Sequence, residues 1–124
     1  MSDPRHVTLL LVEDDGLVRL TVAMMLEDLG FTVLEAETGE AALQRLKAGL
    51  DADILVTDID LGPGISGLQL ADRVRDTWPR LPVVFVTGRV TTLHGRPSRN
   101  GEAYLPKPFS GEALARVVRS LLPV

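Results

Sequence analysis

The chain has no cysteine. Disulfides, thiolate metal sites and a cysteine nucleophile are therefore excluded, and a reducing compartment is the natural setting, so a cytoplasmic location is expected. An excess of positive charge is also missing. Thirteen basic residues stand against seventeen acidic ones, giving a net charge of -4 and a pI near 5.1, and the basic residues form no stripe. Such a surface offers no general attraction to phosphate backbones or anionic lipid, so neither direct nucleic-acid binding nor membrane association is expected. No apolar run approaches the length of a membrane span, and Met1-Ser2-Asp3-Pro4-Arg5-His6 lacks the apolar stretch of a signal peptide. The two histidines, His6 and His94, stand alone and read as surface residues, not metal ligands.

What is present is a core. With 124 residues, 45% of them hydrophobic, the chain suffices for one domain and is too short for two ordinary ones. A single domain over 1–124 is expected, its core running from about residue 6 to 122 and with no output domain attached. Short apolar runs stop at reactive side chains. Val7 to Val12 ends in Glu13-Asp14-Asp15, Ile54 to Thr57 ends in Asp58, Val83 to Val86 ends in Thr87, and Tyr104-Leu105-Pro106 leads into Lys107-Pro108. Runs of Val, Ile and Leu bounded by turn signals read as strands of a parallel sheet covered on both faces.

Helical periodicity fills the intervals. Leu17, Val18, Val22, Met25, Leu26 and Leu29 predict a helix over about 16–29 that ends at Gly30. Phe31 to Leu34 reads as the second strand. Thr38 caps a helix with Ala42, Leu43 and Leu46 inward and Gly49 at its end. Ser66 and Gln69 form a capping box for a third helix, stopped by Trp78-Pro79, with Trp78 as a lid on the core. A short or irregular fourth helix is expected within 88–101, where Gly88, Gly95, Pro97 and Gly101 interrupt the pattern. Ser110 caps the last helix, whose Leu114, Val117, Val118, Leu121 and Leu122 follow helical spacing. Strands alternating with helices over so short a chain predict an α/β fold: a five-stranded, doubly wound parallel sheet of the (βα)5 flavodoxin-like type, in the order 2-1-3-4-5. Strands 1 and 3 then flank the switch point, where such sheets place their chemistry, and Asp14 and Asp58 face each other across it.

Two carboxylates about 5 Å apart repel by roughly 3 kcal/mol at an effective dielectric near 20. The cluster therefore calls for a cation, and oxygen-only ligands with room for water favour Mg²⁺ over Ca²⁺. A carboxylate is ionised at neutral pH and needs no base, so Asp58 suits nucleophilic attack on phosphorus once Lys107 and a metal offset the repulsion.

These residues carry a resemblance to the receiver domain of two-component response regulators that covers nearly the whole chain. Leu10 to Asp15 is similar to the family's acidic motif, Val56 to Leu61 to its phosphoacceptor strand, Val86-Thr87-Gly88 to its hydroxyl position, and Tyr104 to Phe109 to its lysine motif. The resemblance implies phosphorylation of Asp58. It implies Mg²⁺ held by Asp14, Asp58 and the backbone carbonyl of Asp60, with Glu13 acting through water. Lys107 would hold a phosphoryl oxygen, Thr87 would turn its hydroxyl toward the phosphoryl group, and Tyr104 would swing into the space this opens. A cis Lys107-Pro108 bond is implied too. Asp60 and Arg89 stand where the family tunes access of the hydrolytic water. The implied partners are a sensor histidine kinase or histidine phosphotransferase as donor and a downstream protein as receiver of the signal. A homodimer through the fourth helix, fifth strand and last helix is a further implication. The chain would catalyse its own phosphorylation and slow dephosphorylation without being a conventional enzyme. Its loop after Asp58 is a little longer than the family's common one, and its interval from Thr87 to Lys107 a little shorter.

Three other readings fit the sequence less well. Gly62, Gly64 and Gly67 spell a dinucleotide-binding pattern, but it starts four residues beyond Asp58 and Pro63 removes an amide donor. Asp58-Ile59-Asp60 has the spacing of aspartate-nucleophile phosphatases, yet no acidic pair follows Lys107. An interaction module that is never phosphorylated would have no need of Asp14, Asp58, Thr87 and Lys107 together.

Overall fold

A computed structural model of the chain describes residues 7–88 and 100–122. Its elements follow in the order β1 (Thr8–Val12), α1 (Gly16–Asp28), β2 (Thr32–Ala36), α2 (Gly39–Lys47), β3 (Ile54–Asp58), α3 (Gly67–Thr77), β4 (Val83–Thr87), β5 (Glu102–Pro106) and α4 (Gly111–Leu121). The strands form one parallel sheet in the order β2-β1-β3-β4-β5, as the sequence predicts. The irregular helix expected within 88–101 falls almost wholly outside the described residues, as do Arg89, His6 and His94. Among the described residues no helix is long and apolar enough to cross a membrane.

Alternation along the strands divides the core into two layers, because successive side chains point to opposite faces. Leu9, Leu11, Ile54, Val56, Val84 and Val86 pack under α1 and α4, meeting Val22, Leu26, Leu114 and Val118. Leu10, Val12, Leu55, Val83 and Phe85 pack under α2 and α3, meeting Ala42, Leu43, Leu46, Leu70 and Val74. Each fully buried Leu or Phe contributes about 1.5–3 kcal/mol relative to exposure. Covering both faces is what makes the strand runs continuously apolar.

The caps are those the sequence specifies. Thr38 accepts from Ala41 N, Ser110 from Ala113 N, and Ser66 and Gln69 form a reciprocal capping box. Gly30 and Gly49, just past the ends of α1 and α2, hold left-handed φ values of 99° and 101°. Trp78 is half-buried over the α2–α3 layer. Two details differ from expectation. The second strand begins at Thr32 and continues to Ala36, because Phe31 N still bonds to Leu26 O at the end of α1 while β1 pairs with Thr32 through Ala36. Leu17 and Val18 do not join the inner face of α1 and are 75% and 38% exposed. They lie in its first turn, beyond the carboxyl end of β1, where no sheet remains to cover them.

The turn after β3 positions everything that follows. Gly67 N donates to Ile59 O at 2.8 Å, and a Cβ on Gly67 would collide with the carbonyl of Asp58. Gly67→Ala should therefore destabilise the fold by about 1–3 kcal/mol. Gly88→Ala, where nothing lies within 4 Å of the added carbon, should stay within about 0.5 kcal/mol. Urea unfolding of the two variants measures the contrast, and equal midpoints would refute this account of the turn.

Candidate functional site

Parallel strands bring the reactive residues to one edge by register. Val12 pairs with Thr57, so Glu13, just past β1, and Asp58, the last residue of β3, lie side by side. Asp58 pairs with Val86, and Thr87 with Pro106. Lys107 N donates to Thr87 O at 2.8 Å, which fixes where the lysine side chain starts. The Lys107-Pro108 bond is cis, as the resemblance implies.

At the centre lies an ion-pair cluster. Lys107 Nζ donates to Asp58 Oδ2 at 2.6 Å and to Glu13 Oε1 at 3.3 Å. Asp58 and Glu13 are buried, at 7% and 5% exposure. Buried carboxylates need partners for their remaining lone pairs. Asp58 Oδ1 accepts from Asp60 N at 3.1 Å, and Glu13 Oε2 from Asp15 N at 3.1 Å.

The acidic run at 13–15 is divided by role. Glu13 turns inward to Lys107. Asp15 caps α1, accepting from Leu17 N and Val18 N. Asp14 stays exposed near Gly62, whose hypothetical Cβ would stand 3.1 Å from Asp14 Oδ2. Gly62, at φ 65°, thus lets the loop after β3 approach Asp14 closely.

Thr87 is buried at the end of β4. Tyr104 is half-buried and stacks on Phe85, with centroids 5.4 Å apart and planes 18° from parallel. The aromatic pair sits two residues before Thr87 on β4 and three before Lys107 on β5, so it adjoins the site along two strands. Asp60 is exposed, and Arg89 lies outside the described residues.

Two residues that the sequence reading passed over hold this site in shape. Arg19 donates from Nη1 to Glu13 O at 2.8 Å and from Nε to Glu35 Oε1 at 3.1 Å, tying the acidic turn to β2. Its sequence signal was a lone arginine one turn into a mainly apolar helix. Glu40, in the first turn of α2, accepts from Ile65 N at 3.0 Å, and nothing local in the sequence marks it.

The donor set suits a hard divalent ion. Glu13, Asp14, Asp58 and the Asp60 carbonyl offer only oxygen, and Mg²⁺ is typically held by one or two carboxylates with several waters. Among the described residues no three acidic or imidazole side chains are gathered into a cage. Two of the carboxylates here are turned to Lys107 instead.

A groove of about 780 Å³ lies elsewhere. It lies at the amino ends of the strands between Leu50, Trp78, Pro82 and Leu121. Its Asp53 is engaged with Thr8 N.

A doubly wound sheet of this order, with an acid pair, a threonine and a lysine at one edge, defines a narrow structural class. The family model described as "Response regulator receiver domain" matches residues 9–119. The chain belongs to that family, whose members act as phosphorylation-dependent switches in two-component signalling and interact with histidine kinases and downstream effectors. It is 36% identical over 118 residues to the sensor kinase CckA of Brucella abortus, an alignment covering 93% of this chain and 12% of that protein. Among solved structures it is similar to a response regulator receiver protein from Sinorhizobium medicae, with TM-score 0.85, 31% identity and 94% of each chain covered. It is also similar to the response regulator protein TrrA from Thermotoga maritima, solved in complex with Mg²⁺-BeF, with TM-score 0.83, 28% identity, and 94% of this chain and 99% of that one covered. The chain spans about half the length, or less, of the curated relatives it matches.

Burial and pairing shift the two titrating partners of Asp58. Burial raises Glu13 above its ordinary 4.5, against the hydrogen bond from Asp15 N and the charge of Lys107. Burial by itself lowers Lys107, but the hydrogen bond and charge of Asp58, with Glu13, outweigh it, and the net shift is upward from 10.5. A raised lysine value means the folded state binds its proton more tightly than the unfolded chain. That contribution is complete below pH 10.5 and is lost as pH rises through the folded value. Thermal unfolding followed by circular dichroism should show the midpoint falling above about pH 10.5, with Lys107→Met losing that component and having a lower midpoint at neutral pH. A Lys107→Met profile parallel to wild type across that range would count against the shift.

Proposed function

We propose that this chain is a phosphorylation switch in which Asp58 accepts a phosphoryl group with the help of Mg²⁺. The observation that carries the reading is the buried Asp58 carboxylate at the end of β3, bonded to Lys107 Nζ at 2.6 Å with Glu13 beside it. The membership of the chain in the receiver family adds the donor chemistry. A phosphohistidine on a histidine kinase or phosphotransferase is attacked at phosphorus by an Asp58 oxygen. The P–N bond breaks, its electron pair returns to the imidazole, and an acyl phosphate forms on Asp58.

Most of what the chain contributes is placement and charge. Lys107 offsets the negative charge of the incoming group, and its main chain is already pinned to Thr87 O. Asp60 N holds the orientation of the Asp58 carboxylate. Asp14, Asp58 and the Asp60 carbonyl, with Glu13 behind, are the groups that would hold Mg²⁺. When bound, the ion supplies electrostatic stabilisation of the charge on the phosphoryl oxygens. The Thr87 hydroxyl would answer the new group, and the Tyr104–Phe85 stack would pass that response to the β5 edge, where a downstream protein or a second copy reads it. The exposed Leu17, Leu20 and Met24 of α1, the helix that begins at this sheet edge, give a phosphodonor protein apolar surface to cover.

Incubation with acetyl phosphate and Mg²⁺, read by intact-protein mass spectrometry, tests the core of this reading. Wild type should gain one phosphoryl group and Asp58→Asn none. Chelation of the metal should suppress labelling, and Lys107→Met should slow it by on the order of 100-fold. Labelling of Asp58→Asn at the wild-type level would overturn the assignment.

The side chains at Asp60 and Arg89 should set the lifetime of the phosphoryl group by governing access of water. Because Asp60 acts on Asp58 through its amide, Asp60→Ala keeps the carboxylate anchored and removes only the side chain. Dephosphorylation rates of Asp60→Ala and Arg89→Ala should each differ from wild type by several-fold, and identical rates in all three would remove this role.

A further inference from the structure

The loop after the phosphoacceptor has no regular structure between β3 and α3, and two of its glycines, Gly62 and Gly64, hold left-handed φ values of 65° and 98°. Such a segment has little local reason to keep one shape. Its near end is tied by Asp60 N to Asp58 Oδ1 at 3.1 Å, and its last turn by the Ser66–Gln69 capping box. Between these, Leu61 is buried in the core and one polar tie comes from a different element. Glu40, 25 positions earlier in the chain, accepts from Ile65 N at 3.0 Å.

Three neighbouring positions are fitted around that bond. Ile65 is buried, at 8% exposure. Gly39 leaves room for it, since a Cβ there would come within 2.6 Å of Ile65 Cγ1 and 2.9 Å of its Cδ1. Gly64 leaves room for the carboxylate, because a Cβ there would lie 2.7 Å from each Glu40 oxygen. An acid in the first turn of a helix is favourable through the helix dipole alone and needs no distant amide. Here the carboxylate is aimed out of its helix and across to the loop. That same loop carries the Asp60 carbonyl and brings Gly62 against Asp14.

We propose that Glu40 is a positioning residue of the metal site: by holding the Ile65 amide it fixes the 60–66 loop, so that the Asp60 carbonyl and the Asp14 carboxylate stand ready for Mg²⁺. The inference rests on the proposed Mg²⁺-dependent phosphorylation of Asp58. A loop that visits its binding shape only part of the time binds its ion more weakly by that fraction, so a latch on the loop acts directly on affinity.

Isothermal titration of the full chain with MgCl2, together with amide hydrogen exchange, tests it. In Glu40→Ala, Mg²⁺ affinity should fall by about 3–10-fold, the lower range of outer-shell effects, while the Ile65 amide exchanges faster. Glu40→Gln keeps a side-chain carbonyl acceptor without the charge and should restore both readouts to within about twofold. A helix-dipole role alone would make Gln behave like Ala and leave Ile65 exchange unchanged, which would overturn the proposal. So would unaltered Mg²⁺ affinity in Glu40→Ala when wild type binds the ion. Wild type that binds no Mg²⁺ and takes no phosphoryl group would instead sink the underlying reading of the site, so the two failures are told apart.

Discussion

One ammonium group between two buried carboxylates holds the carboxyl edge of this sheet together. Lys107 meets Asp58 at 2.6 Å and Glu13 at 3.3 Å, joining the ends of β1, β3 and β5 across the sheet. Without a cation the two acids would share this buried corner at a high cost, because one backbone amide each replaces only part of the hydration they lose and nothing offsets their mutual repulsion. The acids in turn constrain the lysine, whose main chain is fixed at Thr87 O and whose head has little choice of partner. Arg19 works at the back of the same cluster, holding the Glu13 carbonyl and leaning on Glu35, so the acidic turn is clamped from both sides.

The fold around this cluster follows from ordinary requirements of burial. Strands apolar on both faces must be covered on both faces, and a short βα repeat does so only by sending helices alternately to each side. Crossovers to both sides require a reversal in strand order, here with β1 beside β3 and β2 outside it. Loops leaving neighbouring strands part at that point and leave a crevice, into which Glu13 and Asp58 project. The carboxyl edge therefore collects polar ends as a consequence of core formation. The amino edge collects Trp78, Pro79, Leu81 and Pro82, which close the bottom of the core.

How far all this could be read in advance depended on the range of the interactions. Strands, caps and strand order were legible, because Thr38, Ser66 with Gln69, Ser110, Gly30 and Gly49 act within a few residues of where they stand. That the acids of the 13–15 run, Asp58 and Lys107 come to one edge was legible too, since they stand at strand ends and parallel strands share an edge. The direct pairing of Glu13 with Lys107 was not, because spacing places a carboxylate near an edge without saying which neighbour it faces. The exposed Leu17 and Val18 show a similar limit. Periodicity marks one face of α1 but cannot tell where the sheet beneath it ends. Glu40 was the least visible residue, for its partner is a main-chain amide 25 positions away in a loop whose shape depends on three glycines.

The two unequal bonds of Lys107 suggest how one cluster can serve two states on the proposed reading. With Asp58 unmodified, the shorter bond goes to the acid that would react and the longer one to Glu13, whose ionised form burial disfavours. A phosphoryl group on Asp58 would bring more negative charge within reach of the same ammonium, so Lys107 would gain a stronger partner without leaving its anchor at Thr87 O. The hydroxyl of Thr87 lies on the residue that provides this anchor, and the Tyr104–Phe85 stack sits on the same two strands. The charge added at Asp58 would therefore be felt first by the residues that line the path to the β5 edge. A rigid sheet makes that path short: β4 and β5 are hydrogen-bonded neighbours from Val83 to Thr87, and small shifts at their ends have few other places to go.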